Sequence, residues 1–189
     1  MTTIDENLKS TDITQLAQLQ ISCLPDSPLS KFGIGFAESL FRYFDRSSNE
    51  ILLVERIKGK IESAAVISCK IETLSVRLLV NTNFIWHSPF FIWRKDVWSS
   101  FLSSAVEDMP VLPQLFILMT SEENRSTGIG SHLVSLSNKI LSDFGYNQYC
   151  VRTSVEEDNL ATKFYLKNNF VEVDSNPNSL YRVLVKNLE

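Results

Sequence analysis

The chain has 189 residues, 44% of them hydrophobic and 21% charged, with a formal net charge of −4. That length suits a single domain over residues 1–189 with a full core, and the acidic balance without a long basic run argues against nucleic acid as a main partner. Cys23, Cys69 and Cys150 lie far apart and His87 and His132 are the only histidines, so no zinc spacing exists and the thiols read as reduced and mostly buried. This is the cysteine usage of a cytoplasmic protein. The start Met1–Ser10 is too polar and acidic for a signal peptide, and no apolar run reaches the roughly 18 residues of a membrane span.

The first ten residues hold at most a weak leading strand. Ser10 or Thr11 can cap a first helix with Ile13, Leu16, Ala17 and Ile21 on one face, and Pro25 ends it. A second helical pattern carries Phe36, Leu40, Phe41 and Phe44. Two strands follow, Ile51–Val54 and Ile61–Ser68, joined by the hairpin turn Lys58-Gly59-Lys60. Ala64, Ala65 and Val66 suggest that the second strand is buried on both sides. Leu74, Val76, Leu78 and Leu79 fit a short helix. Then Phe84, Trp86, Phe90, Phe91, Trp93, Trp98 and Phe101 crowd together, with Trp93, Val97, Phe101 and Ala105 at helical spacing. Three readings stand: a helical insertion packed on the sheet, the wall or lid of a pocket, or a helix at a membrane surface, which Arg94 and Lys95 are too few to favour.

From Leu115 the chain runs as an apolar strand, crosses the polar turn Ser121–Thr127, and meets Gly128 and Gly130. Ile129, Leu133, Leu136, Ile140 and Phe144 then repeat at helical spacing, and Gly145 supplies the stop. Strand, glycine turn and helix together can bind phosphate, because the turn's N–H groups and the helix N-terminus face the anion. Glycines allow close approach of the ligand, and Arg125 can add a charged donor. A further strand, Gln148–Thr153, places Tyr149, Val151 and Thr153 on one side. A short helix, Leu160–Asn168, is capped by Asn159 and ended by Asn169 in the left-handed conformation. Phe170–Val173 and Leu180–Val185 close the chain as a hairpin around residues 175–178.

Arg125, Gly128 and Gly130 form R-x-x-G-x-G, which resembles the acyl-CoA-binding motif Q/R-x-x-G-x-G/A of the GNAT superfamily of N-acetyltransferases. Residues 159–170, through Asn159, Ala161, Phe164, Tyr165 and Phe170, resemble that superfamily's N-x-x-A-x-x-F-Y-x-x-x-G-F motif, with Asn169 in place of the glycine. The order of elements in the second half is similar too. Leu24–Phe44, with Pro25, Ser30, Gly33 and Phe36, looks loosely like GNAT members found with surface-polysaccharide biosynthesis. The implied fold is an α/β domain with a mixed, mostly antiparallel central sheet, flanking helices and, here, a helical aromatic insertion.

The resemblance implies an enzyme that moves an acetyl group from acetyl-CoA to a primary amine by direct attack. The acceptor implied is a small molecule, with a nucleotide-linked amino sugar as the narrower expectation; a protein or peptide amine, and a non-catalytic acyl-CoA sensor, are the alternatives. A homodimer is compatible with it. By the same resemblance, the strand ending at Met119 and Thr120 splays from its neighbour and pairs with the pantetheine arm. Arg125, Ser126, Thr127, Gly128, Ile129, Gly130 and Ser131 hold the pyrophosphate. Asn159 bonds the pantetheine, or serves as a helix cap, or both. Tyr165 gives a proton or hydrogen bond to the departing sulfur, or else is a core aromatic beside Phe164. Glu156 and Glu157 read as charges at a helix N-terminus or as groups near the cleft, and no general base is identified. Nothing around Cys150 suggests an activated nucleophile.

Overall fold

The computed structural model describes residues 2–3, 8–27, 29–80, 112–156, 159–173, 179 and 181–188. A two-residue strand, β1 (Thr2–Thr3), pairs with Glu55 and Val54. Helix α1 (Ser10–Cys23) already includes Ser10, so neither Ser10 nor Thr11 is its cap. The start is closed instead by Asp12, whose carboxylate accepts the Lys9 N–H at 3.0 Å and the Arg56 guanidinium at 2.9 Å. An acid in the first turn can reach back and make a capping hydroxyl unnecessary. Ile13, Leu16 and Ala17 are buried as their spacing predicts, whereas Ile21 is half-buried and Leu19 and Gln20 take its inward place.

Helix α2 (Ile34–Arg46) buries Phe36, Leu40, Phe41 and Phe44. Strands β2 (Glu50–Ile57) and β3 (Lys60–Ser68) form the expected hairpin. Its turn has Lys58 and Gly59 at φ +50° and +84°, the backbone twist that matches paired strands. β3 is buried from Ile61 to Ser68, with helices on both faces of the sheet. Helix α3 (Ile71–Val80) turns Leu74 and Leu78 inward and leaves Val76 exposed. The aromatic segment that follows, with Trp86, Trp93 and Trp98, lies outside the described residues.

The second half comprises β4 (Gln114–Thr120), α4 (Ile129–Asp143), β5 (Gln148–Ser154), α5 (Leu160–Lys167), β6 (Val171–Val173) and β7 (Tyr181–Asn187). Gly145, at φ +82°, ends α4 as read: its N–H and that of Tyr146 bond back to the carbonyls of Ser142 and Leu141 at 2.9 and 3.0 Å. Phe144 is 64% exposed, because the chain is already turning there and Leu141 faces the core instead. Asn169 adopts φ +62° after α5, also as read. The turn between β6 and β7 falls outside the described residues.

The sheet order is β1-β2-β3-β4-β5-β7-β6, antiparallel at each junction except β4–β5, which is parallel. Helices α1 and α2 cover one face, packing Leu16, Phe36 and Leu40 with Val54, Ala64, Ile117 and Met119. Helices α4 and α5 contribute Leu133, Leu141 and Tyr165 to a second cluster with Leu53, Ala65, Leu115 and Val151. This is the mixed, mostly antiparallel architecture with flanking helices expected from the sequence.

One irregularity in β4 shapes the surface where β4 and β5 part. Val66 pairs with Ile117 and Ile67 with Leu115, so Phe116 is an extra residue on the β4 side. Phe116 and Ile117 consequently both pack toward the α1/α2 cluster, where strict alternation would send one to each face. A bulge of this kind bends its strand and sharpens the local twist.

Candidate active site

Pairing between β4 and β5 is confined to Gln114↔Cys150 and Leu115↔Val151. It stops where the bulge begins. β4 continues to Thr120 and β5 to Ser154, so the two strands part into a wedge inside the sheet. An interior strand normally has both edges paired, but among the described residues no strand lies beside one edge of β4 from Phe116 onward. Its polar backbone groups then need water or a ligand. An extended molecule carrying amides can lie there as a missing strand does. The closed edge is reinforced by Ser63, whose hydroxyl donates to the Met119 carbonyl at 2.7 Å and lies 2.8 Å from the Thr120 hydroxyl. The Thr120 carbonyl accepts from Cys23 Sγ at 3.2 Å and Arg125 Nε at 3.4 Å.

The wedge opens toward the glycine turn. Ser126 and Gly128 both have positive φ, +63° and +92°, and Gly128 is the residue from which α4 starts. The two glycines serve different ends. A Cβ on Gly128 would meet nothing within 4 Å, so the space over the turn is open. A Cβ on Gly130 would lie 3.3 Å from the Phe164 ring and 3.8 Å from Thr120 Oγ1, so Gly130 lets α4 approach α5 closely. Among the described residues no side chain caps α4. Its first N–H groups, at Ile129, Gly130 and Ser131, therefore lack a capping acceptor and carry the positive end of the helix dipole. Arg125 is exposed and folds back over the end of β4 through its bond to Thr120. Thr127 donates to the Asn124 carbonyl at 2.7 Å. The structure thus gathers Thr120 and Arg125–Ser131 at one end of the wedge.

Helix α5 forms the opposite side. The Asn159 Oδ1 accepts the Ala161 N–H at 2.9 Å, and its Nδ2 donates to the Ser154 carbonyl at 3.1 Å. Asn159 is therefore a helix cap that also ties α5 to the end of β5. Its place in the motif needs a correction. Aligned on Ala161, Phe164, Tyr165 and Phe170, the pattern's asparagine falls on Asp158, outside the described residues, and Asn159 stands one residue late. The buried hydroxyls of Thr153 and Thr162, 2.8 Å apart, make a second tie between β5 and α5.

Tyr165 is 6% exposed, with the rings of Phe164 and Phe170 at 5.2 and 5.1 Å in edge-on contact. It shares a buried cluster with Leu115 and Val151, the last pair before the strands part. Burial raises its phenol well above the ordinary value, so the group is an O–H donor at neutral pH. Phe164 faces the turn and Tyr165 the core, the divergence expected of neighbours on a helix. Burial also pushes the Cys150 thiol up to about 11, which keeps it a thiol and leaves no nucleophile there. Glu156 is exposed in the turn before α5, and Glu157 lies outside the described residues. Among the described residues no cluster suits a metal ion, and no helix is long and apolar enough to cross a membrane.

The sequence reading missed Phe116, Ser63 and Asn124. Phe116 is one apolar residue in an apolar run, and nothing local marks it as a bulge.

No family model matches the chain, and no curated protein matches it in sequence. Solved structures match it in shape. An aminoglycoside 6′-N-acetyltransferase complexed with coenzyme A is similar at TM-score 0.66 and 13% identity, over 100% of this chain and 97% of its own. A protein from Desulfovibrio desulfuricans assigned to the GNAT family is similar at TM-score 0.64 and 8% identity, over 100% of both chains. The ribosomal-protein-S18-alanine N-acetyltransferase from Escherichia coli is similar at TM-score 0.58 and 12% identity, over 98% of this chain and 91% of its own. At these identities the likeness is one of fold: the chain has the fold of GNAT acetyltransferases.

Proposed function

We propose that this protein is an acetyl-CoA-dependent N-acetyltransferase acting on a primary amine of a small molecule. The observation that carries the reading is the wedge between β4 and β5, opened at the Phe116 bulge and ending on the uncapped start of α4. The wedge suits a pantetheine arm, whose amides can pair with the free edge of β4. The glycine turn, with open space over Gly128 and the N–H groups of Ile129–Ser131, suits a pyrophosphate. Both features are consistent with the coenzyme A complex of the aminoglycoside 6′-N-acetyltransferase that shares the fold.

In this reading the neutral amine attacks the thioester carbonyl, a C–N bond forms and the C–S bond breaks. The amine's surplus proton leaves to water or a base, and the departing sulfur takes a proton or hydrogen bond from Tyr165. Tyr165 suits that role because its phenol stays protonated and lies in the cluster at the apex of the wedge. The aminoglycoside neighbour, an enzyme named for a small amino-sugar compound, favours a small-molecule acceptor over a protein amine. A nucleotide-linked amino sugar is the narrower form of the proposal, resting on the likeness of Leu24–Phe44. A second reading is a non-catalytic acyl-CoA sensor, which the near-complete burial of Tyr165 favours.

The test is acetyl-CoA binding by calorimetry, followed by CoA release with aminoglycosides, nucleotide-linked amino sugars and peptide N-termini as acceptors. Turnover with an amino sugar and none with peptides is the expected result. Tight binding without turnover on any amine would favour the sensor, and absence of binding would end the reading altogether.

A further inference from the structure

β3 is apolar or small from Ile61 to Ser68 except at Glu62, whose side chain is 8% exposed. A carboxylate so placed in a sheet needs partners, and it has them on the loop after β4. Asn124 Nδ2 lies 3.3 Å from the Glu62 carboxylate and 3.0 Å from Ser121 Oγ. The Ser121 N–H donates to the Glu62 carbonyl at 2.8 Å. Lys60 Nζ sits 2.9 Å from the same carboxylate on the solvent side. The Ser121 hydroxyl and then the Lys60 ammonium hold the Glu62 carboxyl below its ordinary value, against the opposing effect of burial. It is therefore ionised at neutral pH, a charged acceptor for donors from that loop and from Lys60.

That loop leads directly into strain. Ser126 is a non-glycine residue at φ +63°, a conformation that persists only when its surroundings impose it. The bond from Thr127 Oγ1 to the Asn124 carbonyl, at 2.7 Å, brackets Ser126 from the other side. A continuous set of contacts thus runs from Lys60 through Glu62 and Asn124 to Thr127, the residue before Gly128.

We propose that Glu62 is a positioning residue for the glycine turn: through Asn124 it holds the strained Ser126–Gly128 backbone in the shape that receives a pyrophosphate. The proposal rests on the acyl-CoA reading above and deepens it. Glu62 need not touch the ligand. It acts by keeping the turn's N–H groups converged before binding, so that the ligand does not have to order them.

Two donors separate this role from a general contribution to stability. Acetyl-CoA carries the pyrophosphate, and S-acetyl-pantetheine ends before it. Affinities for both are measured by calorimetry in the parent, Glu62→Ala, Glu62→Gln and Asn124→Ala; the last cuts the link without altering β3. Acetyl-CoA affinity should fall roughly tenfold in Glu62→Ala and Asn124→Ala, the scale of losing a hydrogen bond to a charged group. Glu62→Gln should fall between these and the parent, and affinity for S-acetyl-pantetheine should not change in any variant. Equal losses for both donors, or no loss for acetyl-CoA, would overturn the positioning role while leaving the acyl-CoA reading intact. A parent protein that binds neither donor would overturn both.

Discussion

Helices α4 and α5 both begin at the mouth of the same wedge, and they begin differently. α5 closes its own start: Asn159 accepts the Ala161 N–H with one end of its amide and ties itself to Ser154 with the other. α4 starts from Gly128, which has no side chain to offer. The space at Gly128, from which α4 starts, is open, whereas the start of α5 is partly met by Asn159. An open start alone does not mark a site, since α2 also begins on an uncapped glycine, Gly33. What separates α4 is its position, at the end of a strand whose neighbour has turned away. On the proposed reading, the phosphate end of the ligand lies at α4 and α5 presents Phe164 and Tyr165.

Filling the open start should have the most severe consequence. Gly128→Glu places a side chain and a negative charge over the turn at φ +92°, where like charges repel by several kcal/mol. Acetyl-CoA affinity should fall on the order of a thousandfold by calorimetry, with circular dichroism confirming a folded protein. An unchanged affinity would mean that α4's open start is as incidental as that of α2.

Tyr165→Phe probes the other helix without touching its cap. Acetyl-CoA affinity should hold, because the hydroxyl matters as negative charge develops on sulfur. The turnover rate should drop about 100-fold, and by less with a donor whose thiol is more acidic. Parental turnover would return Tyr165 to the core as a packing residue.

Asn159 is next. Asn159→Ala should lower stability by about 1 kcal/mol in denaturant unfolding, while Asn159→Asp, which still accepts from Ala161, should recover most of it. A rise in the acetyl-CoA KM of Asn159→Asp beyond that of the parent would show that the amide's N–H₂ also serves the ligand.

The smallest change is expected at α1, whose start is closed by Asp12. The Arg56 hydrogen bond, more than any other influence, lowers the Asp12 carboxyl below its ordinary value. Its stabilising contribution is therefore complete above the unfolded-state value of about 4 and is lost as pH falls through the lower folded value. Asp12→Asn should flatten the acid side of the stability–pH curve and leave it unaltered in shape near pH 7. An acid limb identical to the parent's would show that the ion pair with Arg56 contributes nothing to folding.

Features decided within a few residues were legible in the sequence. Gly59 marks the hairpin turn, and Gly145 and Asn169 announce a positive φ through residue type, which each adopts. The buried face of α2 followed from spacing, because a helix turns a fixed angle per residue. On α4 only Leu133 and Ile140 of the spaced residues are buried, and Val134, Ser137 and Leu141 complete the face. The bulge at Phe116 was not legible, since a register shift depends on how a strand meets its neighbour and not on the strand's own composition. The cap of α1 was misassigned because the helix starts one residue earlier, held by Asp12 reaching back to the Lys9 N–H, and the ion pair of Asp12 with Arg56 is remote in sequence. Glu62 was not singled out in the sequence, and its partner Asn124 lies 62 residues away.

The two-pair seam between β4 and β5 has a mechanical consequence. Every other junction between interior strands is laced by a longer ladder, so this is the line along which the sheet's two parts are least firmly joined. An arm lying in the wedge would act as a stitch, bonding to one lip while its phosphates grip the helix that packs across the gap. Acetyl-CoA should then do more than raise the melting temperature by mass action. It should selectively slow amide exchange along Phe116–Thr120 and Arg152–Ser154, turning two cooperative units into one.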